Sequence, residues 1–191
     1  MSEDVDNAPG RPSNAILLFA TPLLLFAGVS LAIGFLASYA DDAPYRTPFF
    51  HLFFSNTLHM KAWLTTGAAL LGVGQLATAA RVYGKLHFPP AGRFYSLAHR
   101  WSGRVAVLLT LPAAYHCIFK LGFATYGARA AIHSTLGAAF YGALFAKIFI
   151  VRSSNYPSWV LPLAGATLFA LLTLLWLTSA FWLFSMMGVS L

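Results

Sequence analysis

Apolar residues run through this chain in five long blocks, separated by short polar or basic connections. The blocks extend from about Ala15 to Ala37, Leu58 to Ala80, Trp101 to Leu121, Ile132 to Ile150 and Trp159 to Phe184. Each is long enough to cross a hydrocarbon core of about 30 Å at about 1.5 Å per residue, and so each predicts a transmembrane helix. No internal repeat or low-complexity segment interrupts them. The pattern predicts an all-α integral membrane protein, an up-and-down bundle of five transmembrane helices with a four-helix core, forming one domain over residues 15–191. Residues 1–14 are acidic and polar and lack the basic start of a cleaved signal peptide. They predict a disordered cytoplasmic tail.

Composition strengthens this reading. The 191 residues are 59% hydrophobic and only 9% charged, which no soluble domain of this length sustains. The net charge of +7 does not point to nucleic acid, because the basic residues lie between the apolar blocks and act as topology signals. Arg81, Lys85, Arg93, Arg100 and Arg104 cluster between blocks two and three, and Lys147 and Arg152 between blocks four and five. The opposite side has only Arg46, Lys61, Lys120 and Arg129. The expected location is a bacterial cytoplasmic membrane with the amino terminus inside and the carboxyl terminus outside. Pro89 and Pro90 predict a turn in the inner loop, and the aromatic stretch Pro44 to Phe54 predicts an interfacial segment outside.

The acids narrow the chemistry. They are Glu3, Asp4, Asp6, Asp41 and Asp42, with none beyond, so no block contains a carboxylate. Carboxylate proton relays, di-iron carboxylate centres and paired-carboxylate catalysis are excluded. One cysteine, Cys117, excludes an internal disulfide, and a buried lone cysteine usually packs as a small apolar residue. Chemistry inside the bilayer falls to histidine, tyrosine, cysteine, backbone or a bound cofactor.

Histidines supply the candidates. His133, Gly137 and Tyr141 recur every four residues and share one helical face. An imidazole there can ligate a metal, and the glycine leaves room for something flat. His59 and His116 fall toward the same side of the membrane, while His51 and His87 lie in connections as ordinary interfacial residues. His99 opens block three at the inner edge, where a lone histidine is tolerated. Each of the three outer histidines has a cation nearby: Arg129 beside His133, Lys120 beside His116 and Lys61 beside His59. Such cations suit haem propionates, although snorkelling at helix ends is their commoner use. If two histidines hold a haem, the diagonal position of blocks two and four favours His59 with His133. Depth measured from the inner arginines favours His116 with His133. Gly67 and Gly74 on block two could admit a macrocycle or close helix packing, and Met186 and Met187 read as packing at a helix end.

The segment IHSTLG with its apolar continuation resembles the histidine-bearing helix of the cytochrome b561 family, in which four core helices carry two haems, each held by histidines from alternate helices. The resemblance covers roughly residues 55 to 185. It implies that His133 is the fourth-helix ligand, His59 its second-helix partner and His99 one ligand of a second haem. The expected partner of His99 on block five is missing, so the resemblance implies one haem b. HRWSGR, opening at His99, also resembles segments of bacterial multi-pass proteins.

The expected function is therefore a membrane b-type cytochrome, an electron-transfer subunit with one bis-histidine haem near the outer face. It would exchange electrons with quinol or with a redox partner protein in a larger complex rather than act as a self-sufficient enzyme. Two alternatives stand beside it: a cofactor-free accessory or anchor subunit, and a copper or zinc site built from His59, His116 and His133.

Overall fold

The computed structural model describes residues 13–39, 49–87, 92–153 and 155–188, with side chains described from Leu18 onward. Residues 1–12 of the expected tail, Asp41, Asp42, Arg46 and the Pro89–Pro90 turn lie outside these residues, while Ser13 and Asn14 of that tail open the first helix. All regular structure among the described residues is helical: α1 (Ser13–Ser38), α2 (Thr57–Val82), α3 (Arg93–His116), α4 (Ala128–Arg152), α5 (Val160–Trp176) and α6 (Trp182–Met187). A π-helical turn, Cys117–Leu121, extends α3, and a second, Leu177–Phe181, joins α5 to α6 in one continuous rod.

Four of these helical segments are long and apolar enough to cross a membrane: Leu18–Ser38, Arg93–Leu121, Ala128–Arg152 and Val160–Met187. The fifth expected span, α2, is as long as its neighbours at 26 residues but falls short in hydropathy. Thr65, Thr66, Gln75 and Thr78 dilute its apolar run. Their polarity is nevertheless satisfied within the protein. Thr65, Thr66 and Thr78 donate to the Lys61, Ala62 and Gly74 carbonyls, one turn back in each case. Gln75 Nε2 donates to the His99 carbonyl and to Ser102 Oγ, 2.6 Å away on α3.

The helices pack antiparallel in a closed order: α3 on α2, α2 on α5, α5 on α4, with α1 laid against α4 and touching the far end of α3. α2 and α4 therefore face each other across a diagonal, as do α3 and α5. At mid-height Ala68, Phe140 and Leu172 are buried together, flanked by Leu109, Tyr141, Leu168 and Leu175. There Tyr141 Oη donates to Thr110 Oγ1 at 2.9 Å and pins α4 to α3. Toward one end Ala62, Ala180 and Leu183 form a second buried layer under Trp176 and Phe184, and Trp176 Nε1 donates to Thr66 Oγ1 at 2.9 Å. Small residues at these contacts matter because helices in lipid gain little from excluding water and cohere through close van der Waals approach.

Both π turns lie beside side chains that bond the helix backbone. Ahead of Cys117–Leu121, Pro112 lacks an N–H, and its carbonyl accepts His116 Nδ1 at 2.8 Å. Gly122, at φ 69°, takes the left-handed turn that ends the segment. Around Leu177–Phe181, Thr178 Oγ1 donates to the Leu174 carbonyl at 2.8 Å and Ser179 Oγ to the Leu175 carbonyl at 2.6 Å. These hydroxyls share carbonyls with the helix's own amides, as the α2 threonines also do.

Candidate functional site

One end of the bundle, where α2 and α4 begin, carries His59, His116 and His133; the other carries most of the lysines and arginines. The π turn of the α5–α6 rod lies at the histidine end and organises a site against α4. Its Thr178 carbonyl accepts from Arg129 Nη1 at 2.8 Å, and the Arg129 guanidinium lies 3.7 Å from the centre of the Trp182 ring. Four residues along α4, half-buried His133 brings Nδ1 to 3.0 Å from Thr178 Oγ1. The single proton of that hydroxyl is engaged by Leu174, so Thr178 accepts and His133 Nδ1 donates. In the neutral ring this leaves the Nε2 lone pair uncommitted, the arrangement in which a hydrogen bond to the other nitrogen orients a metal-binding histidine. The charges of Arg129 and Lys61 both bear on this ring, so the site is electropositive.

His116 is built differently. It is fully buried, with Nδ1 donating to the Pro112 carbonyl and Nε2 accepting the Phe50 N–H at 3.3 Å. Both ring nitrogens are engaged, and Phe50, Tyr115 and Phe49 surround the ring. Lys120, also buried, lies 4.7 Å from the centre of the Phe49 ring. These two candidates belong to a structural plug that holds the segment before α2.

His59 sits in the first turn of α2. Its N–H is capped by Asn56 Oδ1 at 2.9 Å, and its Nδ1 lies 2.7 Å from Ser55 Oγ. At the opposite end, His99 repeats the His133 pattern. Its Nδ1 is 2.9 Å from Thr78 Oγ1, whose proton goes to the Gly74 carbonyl, leaving Nε2 uncommitted. His51 is tied to the Phe54 carbonyl and His87 is exposed.

Three or more metal-ligating side chains gather nowhere among the described residues. The expected copper or zinc cluster of His59, His116 and His133 is therefore not formed, because His116 is enclosed by its own plug. Gly137 faces Leu175, with room for a Cβ at an ordinary contact of 3.9 Å. It also lines a cavity of about 60 Å³ with Gly34, Cys117, Ser134 and Tyr141, between α1, α3 and α4. Of the two glycines proposed to admit a macrocycle, Gly67 packs on Leu109 at 3.3 Å and Gly74 meets nothing within 4 Å.

A haem iron asks for a neutral imidazole nitrogen with its partner nitrogen fixed, and His133 meets that requirement. The ring of the haem asks for volume, and the cavity beside Gly137 is several-fold smaller than the roughly 300 Å³ at which small-molecule pockets begin. The donor chemistry fits; this cavity does not hold the macrocycle.

Thr178 and the π turn were not among the sequence candidates. Their trace in the sequence is the Thr-Ser pair inside the apolar run LLTLLWLTSAF, one of the few polar interruptions of the α5–α6 rod.

The profile of a family of unknown function (DUF6529) matches residues 19–191. No curated protein and no solved structure matches the chain.

Proposed function

The chain belongs to the DUF6529 family, whose function is unknown, and we propose that it is a membrane-embedded electron-transfer protein binding one b-type haem through Nε2 of His133. The observation that carries this reading is the Thr178-anchored imidazole with its free nitrogen beside two cations. When bound, a haem there supplies reversible one-electron chemistry at iron. The chain's own residues set its surroundings: Thr178 fixes the tautomer, Arg129 and Lys61 provide positive charge toward anionic propionates, and Trp182 holds the guanidinium in place. His59 is the second-ligand candidate, on the helix diagonal to α4.

In this reading α2 is the fifth crossing, since its 26 residues come close to the 29 and 28 of the spans it packs between and its hydroxyls are internally bonded. The basic connections then lie in the cytoplasm. A cysteine introduced at the Arg93 position is expected to be labelled only from the cytoplasmic side; labelling from outside alone would reverse the topology. Quinol or a partner protein is the proposed electron donor, because the site alone does not span the bundle.

A second reading, a cofactor-free accessory subunit, is favoured by the small cavity. The visible spectrum of purified protein decides between them. The expected result is a low-spin haem spectrum that is lost in His133→Ala and shifted or weakened in Thr178→Val, whose hydroxyl alone is removed. His116→Ala is expected to keep it wherever the protein folds. A wild-type protein with no haem after growth with added haem would leave the accessory reading.

A further inference from the structure

A second polar group lies at the basic end, remote from His133. Lys147 on α4 is half-buried and faces α5 at Gly165, where a Cβ would stand 3.8 Å from its ammonium. A Cβ there would be in ordinary contact with the ammonium, and only a larger side chain would compete with it for space. The helix continues only five residues beyond Lys147, to Arg152, about 7–8 Å along the axis. The charge of Lys147 acts on His99 of α3. That histidine is held to α2 through Thr78, and Gln75 and Ser102 complete the polar wall beside it.

Three other cations of this end have partners, while Lys85, Arg93 and Arg152 are exposed to their surroundings. Arg81 donates to the Leu86 carbonyl and lies over Tyr95, Arg100 donates to the Ser96 carbonyl, and Arg104 lies over Trp101. Lys147 has no hydrogen bond or ion pair among the described residues, and the sequence has no acid beyond Asp42 to provide one. A half-buried cation is stabilised by a counter-charge. The packing leaves a route to it: α3 and α4 follow one another in the chain yet are not a closely packed pair. Below the Tyr141–Thr110 bond their seam is not closed by α1, which reaches α3 only at the opposite end.

We infer that the basic-end half of the α3–α4 seam binds an anionic phosphate group, with Lys147 as its central cation. A phosphoglycerol lipid head matches the lining well. Its phosphate oxygen accepts from the ammonium, and its glycerol hydroxyl donates to the uncommitted Nε2 of His99. Basic pockets between helices near a membrane surface commonly take such heads. This site is independent of the haem reading.

Native mass spectrometry of the full chain released from mixed phosphatidylglycerol and phosphatidylcholine bilayers tests it. Wild-type protein is expected to retain phosphatidylglycerol about fivefold over phosphatidylcholine, the scale of one basic residue at a lipid surface. Lys147→Gln should erase that preference, whereas Arg152→Gln, removing an exposed cation of the same helix, should preserve it. Should Lys147→Gln fail to fold, Lys147→Arg keeps the preference and Gly165→Leu, which fills the space beside the ammonium, lowers it. Displacement of the lipid by millimolar inorganic phosphate would keep the phosphate site but overturn its assignment to lipid. Equal retention of the two lipids by wild type, or full preference in Lys147→Gln, overturns the site itself.

Discussion

Replacing Gly142 with leucine is expected to detach α1 from the bundle. A Cβ at Gly142 would collide with Ser30 Oγ and with the Phe26 carbonyl oxygen. The second obstacle is backbone, so no rotamer change relieves it. α1 packs along α4 and against the far end of α3, and its two ends are tied by the Tyr156 hydroxyl to the Leu18 carbonyl and by the Phe123 N–H to the Ala37 carbonyl, so it has little freedom to shift. Overpacking of this kind costs about 3 kcal/mol at the upper end of its usual range, or roughly 6–12 °C in melting temperature for a chain of this size. Alanine at the same position should already show much of the loss. Gly74→Ala on α2 is the matching control, since a Cβ there meets nothing within 4 Å. It should be neutral or stabilising by about 0.5–1 kcal/mol. Thermal unfolding in detergent measures all three, and a wild-type melting temperature in Gly142→Ala would show that α1 and α4 are not held at this distance.

His116→Ala is expected to have the other large effect, and an effect on folding rather than on cofactor chemistry. The imidazole is fully buried and closes two hydrogen bonds, one of them to the Phe50 N–H from 66 residues earlier in the chain. Its removal leaves a cavity and an orphan amide, together about 3–5 kcal/mol. The segment it holds is already strained: Leu52, two residues on, sits at φ 51°, a left-handed conformation that costs a residue with a side chain energy. Protease cleavage near Leu52 should therefore rise in the variant as its melting temperature falls. Unchanged cleavage and stability would mean that His116 is not the plug described here.

Helix positions were legible in the apolar blocks because lipid-facing surface demands continuous hydrophobicity. α3 nevertheless begins at Arg93, eight residues before Trp101, since a helix can run beyond the apolar zone with charged residues on it. The weakness of α2 as a span came from the reverse effect: threonines that bond their own helix lower hydropathy without exposing polar groups. His133 stood out through its spacing with Gly137 and Tyr141, but Thr178, the residue that orients it, lies 45 positions away. His116 looked equivalent to His133 by depth and by its neighbouring cation. Only the tertiary return of Phe50 separates a histidine closed at both nitrogens from one left open at Nε2, and no local pattern encodes that return.

The attachment of α1 to α4 also sets an order on synthesis. Phe26 and Ser30 meet their partner Gly142 only after some 110 further residues have been made, roughly 5–20 s at ribosomal rates. Through that interval the first helix must reside in the bilayer without its partner. Its mean hydropathy of 2.1 over Leu18–Ser38, equal to that of the last span and above the other two, lets it wait there alone. The glycine that later receives it then acts as a latch for a late stage of assembly, not as a nucleus for the first.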